Sequence, residues 1–119
     1  MRGAPASIAL LALASGSLPA CSSPPVSFDS PDPAARLGAI SNAARDRDAA
    51  AIPNLIASLD HDDPLVRLAA LRALENLTGQ TLGYFFADSE PARRAAIDRW
   101  IDWYRRQPQA SRADSRSPR

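Results

Sequence analysis

The stretch DPAARLGAI beginning at Asp32 returns as DPLVRLAAL beginning at Asp63. Asp32 answers Asp63, Pro33 answers Pro64, Arg36 answers Arg67, Leu37 answers Leu68 and Ala39 answers Ala70, at an offset of 31 residues. A second pair, AIPNLIASL from Ala51 and AIDRWIDWY from Ala96, recurs at an offset of 45. The surplus of 14 residues is the length of TGQTLGYFFADSEP, residues 78–91, which reads as a loop inserted in the second unit. Self-similarity at a period of about 20 to 50 residues marks stacked supersecondary units, none of which buries its apolar face alone.

Each piece reads as a helix. Asp32 and Asp63 have short acceptor side chains for the free amides of a first turn, and Pro33 and Pro64 then stand where no amide is needed. From Pro64 onward Val66, Ala70, Ala73, Leu74 and Leu77 share one stripe, Leu65, Leu68 and Leu71 broaden it, and Gly79 ends it. This helix is expected to be the most buried of the set. Ile52, Leu55, Ile56 and Leu59 have helical spacing, and Pro53 fits if the turn begins near Ala49 to Ala51. A last helix, from about Glu90 to Gln107, turns Ile97, Trp100, Ile101 and Tyr104 inward. No run alternates with period two, so no strand is expected.

The fold class that follows is all-α, a short α-solenoid of two helix pairs. The first unit covers about residues 32–60, and the second about 63–107. The motifs DPLVRLAALRALENLTG and AIPNLIASLDHD resemble the HEAT repeat, in particular the PBS lyase HEAT-like type, over about Asp32 to Gln107. Ala35 stands where valine is usual in that pattern and Gly38 where alanine is. GQTLGYF followed by Trp100 and Trp103 is similar to the terminal segment of many bacterial HEAT-like proteins. The resemblance implies stacked antiparallel helix pairs and a role in protein contacts.

Residues 1–20 place Arg2 before an apolar run centred on Ile8 to Ala14, the layout of a secretory signal and too short for a membrane span of about 20 apolar residues. Leu18, Pro19, Ala20 and Cys21 resemble the bacterial lipobox, with Pro19 the unusual member. The resemblance implies cleavage before Cys21, a thioether-linked diacylglycerol on its sulfur and usually an acyl chain on the new amine. Cys21 is the chain's sole cysteine, so an exported form has no intramolecular disulfide partner for it. Residues 21–31, rich in serine and proline, read as a tether from membrane to domain. The protein is then expected to be exported and lipid-anchored, at the outer membrane or the periplasmic face of the inner one.

Charge narrows the partners. From Asp29 to Tyr104 there are twelve acidic residues and eight arginines, whereas residues 105–119 hold five arginines and Asp114. A body without a basic stripe argues against nucleic acid, because neutralising phosphates takes clustered cations. The tail 108–119 lacks apolar residues beyond alanine and reads as a disordered, Arg-rich end. Its arginines are within reach of anionic head groups, a solvated tail being the simpler reading.

His61 lies among Asp60, Asp62 and Asp63, but the sequence supplies no second histidine and no nearby cysteine, so the group reads as a polar turn and not a metal site. No set of residues resembles a nucleophile, base and orienter, and no glycine-rich phosphate loop is present. Neither an enzyme nor a cofactor or small-molecule substrate is therefore expected. Arg36 and Arg67, at equivalent positions, are expected to pair with neighbouring aspartates along the stack. The candidate partner-binding residues are Tyr84, Phe85 and Phe86, since buried aromatics dominate binding hot spots. The competing reading is that their loop folds back on Trp100 and Trp103 as an end cap, with at least one ring left outside the core. The function expected is a membrane-tethered adaptor for another envelope protein. The alternative is a structural lipoprotein that forms homo-oligomers through its open repeat edge.

Overall fold

The computed structural model describes residues 25–108, together with Gly3 and Gly16. Leu18, Ala20 and Cys21, and the tail beyond Pro108, lie outside the described residues. The chain forms α1 (Pro33–Arg45), a single 3₁₀ turn at Ala49–Ala51, α2 (Ile52–Ser58), α3 (Pro64–Thr78) and α4 (Glu90–Arg105). No strand occurs among the described residues. The fold is the all-α short solenoid that the repeat implies.

Local chemistry sets the helix ends. Asp32 and Asp63 accept hydrogen bonds from the amides of Ala34 (3.0 Å) and Leu65 (2.8 Å), and the prolines that follow sit in the first turns. Asp48 caps the 3₁₀ turn through the amide of Ala50 at 3.0 Å. That turn carries Pro53 into the first turn of α2, where its missing amide costs no hydrogen bond. Gly79 closes α3 with φ +73°, a left-handed conformation that side chains resist, while its amide returns to Glu75 O at 2.7 Å.

α1 packs along α3, and α2 packs against both α3 and α4. Where α1 meets α3, Ile40 and Ala44 of α1 lie across from Ala69 and Ala73 of α3. Leu55, Leu59, Val66, Leu74 and Trp100 are the largest fully buried side chains, so the core lies mainly between α2, α3 and α4. The inward stripe of α3 is Val66, Ala70, Leu71, Ala73 and Leu74, with Leu77 partly buried. Leu65 departs from expectation at 62% exposed. It heads a different stripe, Leu65, Ala69, Arg72 and Asn76 at helical spacing, on the side of α3 turned toward solvent and α1.

The tether expected over residues 21–31 ends sooner, because residues 26–31 are part of the fold. Ser27 N donates to Ala35 O at 3.3 Å, Arg36 Nε donates to Ser30 O, and Phe28 packs on the core. This strap runs back along α1 from Asp32 to Val26, which lies over Gly38. A Cβ added at Gly38 would stand 2.5 Å from Val26 Cγ1. Hence glycine occupies the position where Ala69 stands in the second unit: the strap uses the room that a methyl group would fill. Arg36 is consequently committed to a strap carbonyl and not to an aspartate.

Replacing a mid-helix glycine with alanine ordinarily stabilises by about 1 kcal/mol, while overpacking costs about 1–3 kcal/mol. Gly38→Ala is therefore expected to lower stability in urea unfolding. In a Val26→Ala background the same change is expected to raise it. Equal effects in the two backgrounds would mean that the strap does not rest on α1.

Candidate interaction surface

The inserted loop spans residues 79–89 and is held at both ends of α3. At the N-terminal end Arg67, buried in α3, donates from Nη1 to His61 O and Asp62 O (2.8 Å each) and from Nε to Phe86 O at 3.2 Å. Arg67 thus binds three carbonyls instead of the expected aspartates. The fork of a guanidinium suits such divergent acceptors, and carbonyls of two turns are satisfied by one side chain. Near the C-terminal end of α3, Thr81 O accepts from Trp100 Nε1 at 3.1 Å, and Leu82 O accepts from Arg99 Nε at 2.8 Å.

These anchors fix the direction of the last helix. The loop climbs from the C-terminal end of α3 at Thr81 to its N-terminal end at Phe86, and α4 begins just beyond, at Glu90. Trp100 lies ten residues into α4, about 15 Å along its axis, and is back beside Thr81. α4 therefore runs in the same direction as α3 and against α2. The resemblance implied antiparallel pairs throughout, which α1 and α2 obey and the second unit does not. The 14-residue surplus does more than lengthen a connection: it returns the chain to its starting level before the final helix.

The loop turns at Thr81–Tyr84, where Tyr84 N donates to Thr81 O at 3.0 Å. Leu82 and Gly83 have φ +50° and +73°, a turn with two left-handed residues. Glycine adopts that conformation freely, whereas leucine does so at a cost of roughly 1–2 kcal/mol. At Leu82 the cost is offset by packing of the side chain on the core and by Arg99 on its carbonyl.

The three candidate aromatics part company. Tyr84 is buried and its hydroxyl donates to Leu59 O at 2.6 Å, pinning the loop to the end of α2. It is an element of the cap and offers no contact surface. Phe86 is partly buried against the core. Phe85 is 52% exposed and tilts against the Phe86 ring at 5.2 Å between centroids. Trp100 and Trp103 meet edge to face at 5.5 Å beneath the loop, so the fold-back reading describes most of the segment and Phe85 is the ring left outside. His61 is occupied as a turn element, its Nδ1 accepting from Asp63 N at 3.0 Å.

A second apolar feature was not legible in the sequence: a groove of about 290 Å³ between α1 and α3, floored by Ile40, Ala44, Ala69 and Ala73 and rimmed by Arg72 and Asn76. The small side chains of Ala44, Ala69 and Ala73 leave the space between the two helices unfilled.

Burial raises the pKa of Tyr84 above its usual 10.0; the cations Arg67 and Arg93 oppose this, and Asp60 adds to it. The folded state then holds the phenol proton more tightly than the unfolded state. The stability this contributes is present below about pH 10 and falls as pH rises through the folded pKa. Tyr84→Phe leaves Leu59 O without its partner and is expected to cost about 1–2 kcal/mol at neutral pH. Denaturant titrations are also expected to show a smaller loss of stability above pH 10 in Tyr84→Phe than in the parent. An unchanged alkaline limb would mean that the hydroxyl is not buried.

Among known families, a model described as HEAT repeats matches residues 26–107. Its first residue is the first of the strap, and its last lies two residues past α4. No curated protein and no solved structure matches the chain.

Proposed function

Because this chain belongs to the HEAT-repeat family, we propose that it is a non-enzymatic protein-interaction module, tethered by lipid at Cys21 to a bacterial envelope membrane and acting as an adaptor for another envelope protein. HEAT repeats commonly mediate protein–protein contacts and generally serve as scaffolds without catalysis. The observation that carries the adaptor reading is Phe85, a large ring kept at the surface while both aromatic neighbours in sequence space, Tyr84 and Phe86, turn inward. An aromatic side chain on a braced turn loses little conformational freedom on binding, which suits it as an anchor. The strap covers one end of the stack, and the loop with α4 covers the other. Those covers favour a heterologous partner over end-to-end stacking of copies.

The lipid anchor rests on the LPAC sequence at residues 18–21 and its resemblance to the lipobox. Buried acyl chains contribute about 0.8 kcal/mol per methylene, so two or three chains hold a protein stably on a bilayer. Intact mass of the protein from a membrane fraction is expected to match a chain beginning at Cys21 plus its acyl groups. Cys21→Ser is expected to lose both that mass and membrane retention. A free thiol on an unprocessed chain would refute the anchor.

For the adaptor role, a photo-cross-linker at position 85 is expected to capture a defined envelope protein that a probe at exposed Asp98 does not. Phe85→Ala is expected to weaken that association about tenfold or more while shifting folding stability by less than about 0.5 kcal/mol. Equal capture from both positions would remove Phe85 as the anchor.

A further inference from the structure

We propose that the groove between α1 and α3 receives a second copy of this chain. The two copies cross antiparallel about a two-fold axis at Ala69, and Leu65 of each enters the groove of the other. The proposal goes beyond the adaptor reading and rests on neither Phe85 nor Cys21.

One face of the domain carries both halves of a contact. The recess is the groove of about 290 Å³, walled by Ile40 and Ala44 of α1 and by Ala69 and Ala73 of α3. The projection is Leu65, 62% exposed and one turn ahead of Ala69 on the same stripe of α3. A face that holds its own complement is satisfied by a copy of itself across a two-fold axis, the arrangement in which residue i meets j and j meets i. With the axis at Ala69, Leu65 of one copy lies opposite Ala73 of the other, each about 6 Å along its helix from the axis. That position is over the recess. Ala69 has the smallest side chain of the stripe, so two helices can cross there at the roughly 8–10 Å of close helix packing.

The charges about this face agree with the antiparallel sense. At the C-terminal end of the groove stand Arg72 and Arg47, the latter with Nη1 3.5 Å from Asn76 Oδ1. Glu75 reaches Arg72 at 3.3 Å, which leaves one positive charge in excess. The other charged groups of that end are turned aside: Arg45 bonds to Asn42, and Asn42, Asp46 and Asp48 line the cleft on the strap side of α1. At the N-terminal end Asp32 and Asp63 are committed to helix caps, Arg36 to Ser30 O, and the buried Arg67 to three carbonyls. Those four charges cancel. Asp62 is left, exposed and without an ion pair among the described residues. Across the axis, Asp62 of one copy comes opposite Asn76 of the other, beside Arg47 and one turn from Arg72. A parallel crossing would instead set Asp62 against Asp62 and Arg72 against Arg72. Exposed pairs of this kind fix register and contribute little affinity; removing Leu65 and the alanine-lined groove from water supplies the driving force.

The test is sedimentation equilibrium of the chain from position 21 onward with Cys21→Ser, which contains the strap and every helix. A monomer–dimer equilibrium is expected. Leu65→Gln, at an exposed position, is expected to raise the dimer dissociation constant about tenfold or more with the helical circular dichroism unchanged. Asp62→Lys and Arg72→Glu are each expected to weaken the dimer, and the two together to restore it, which a local folding defect would not do. For the axis, Ala69→Cys is expected to form an intermolecular disulfide faster than Cys at exposed Asp98, since only the former brings two Cα atoms within the roughly 4.4–6.8 Å that the bond requires. A chain that stays monomeric at every concentration, a dimer indifferent to Leu65→Gln and to the charge exchange, or equal cross-linking from positions 69 and 98 would overturn the proposal. So would a larger assembly, because a two-fold contact closes at two copies.

Discussion

The guanidinium of Arg67 is the point on which the architecture turns. It sits in the first turns of α3, buried, and binds two carbonyls of the α2–α3 turn and one of the inserted loop. Hydrogen bonds to a charged donor contribute about 1.5–3 kcal/mol each net of the exchange with water, and losing the donor would strand three carbonyls at once. In a domain this small, whose total stability is on the order of 5–10 kcal/mol, no other side chain among the described residues hydrogen-bonds to as many segments. With Arg67 holding Phe86 at the start of α3, the chain has no short route to an antiparallel last helix.

The second constraint is the exposure of a short solenoid's ends. Two repeats leave an open face at each end, and such stacks need capping elements with a polar outer side. This chain makes its caps largely from the segments that flank or interrupt the repeated helices. The N-terminal cap is the strap of residues 26–31, admitted by the missing side chain of Gly38. The C-terminal cap is the loop and the fully buried Trp100, with the Tyr84 hydroxyl bonded to Leu59 O. Both ends are thereby closed by side chains that bind backbone carbonyls, which cannot be withdrawn without leaving polar groups unpaired.

Much of this was legible beforehand, for definite reasons. The Asp-Pro starts, the glycine stop at Gly79 and the helical spacing of Val66, Ala70 and Leu74 are local rules, and the helices begin and end where those rules place them. The insertion was legible as a count of residues. Its course was not, because a repeat alignment carries no direction: AIPNLIASL and AIDRWIDWY align although their helices run oppositely. Nor was the strap legible, since Val26 and Phe28 are two apolar residues in a serine and proline stretch and only the space over Gly38 reveals their use. Arg67 looked like its counterpart Arg36, and both proved to be carbonyl binders for turns that sequence alone does not bring near. Among the aromatics, residue type gave no means to tell the buried Tyr84 from the exposed Phe85.

The most direct measurement is the direction of α4. In a Cys21→Ser background, spin labels at Asp62 and Ser89 would lie at the same end of α3, and labels at Asp62 and Arg105 would be separated by about the 24 Å length of α4. A short distance for the first pair and a distance of at least that length for the second are expected from the fold-back loop. The opposite order, Arg105 near Asp62 and Ser89 far from it, would mean that the second unit is an ordinary antiparallel pair. The roles assigned to Arg67 and to the cap would then fall together.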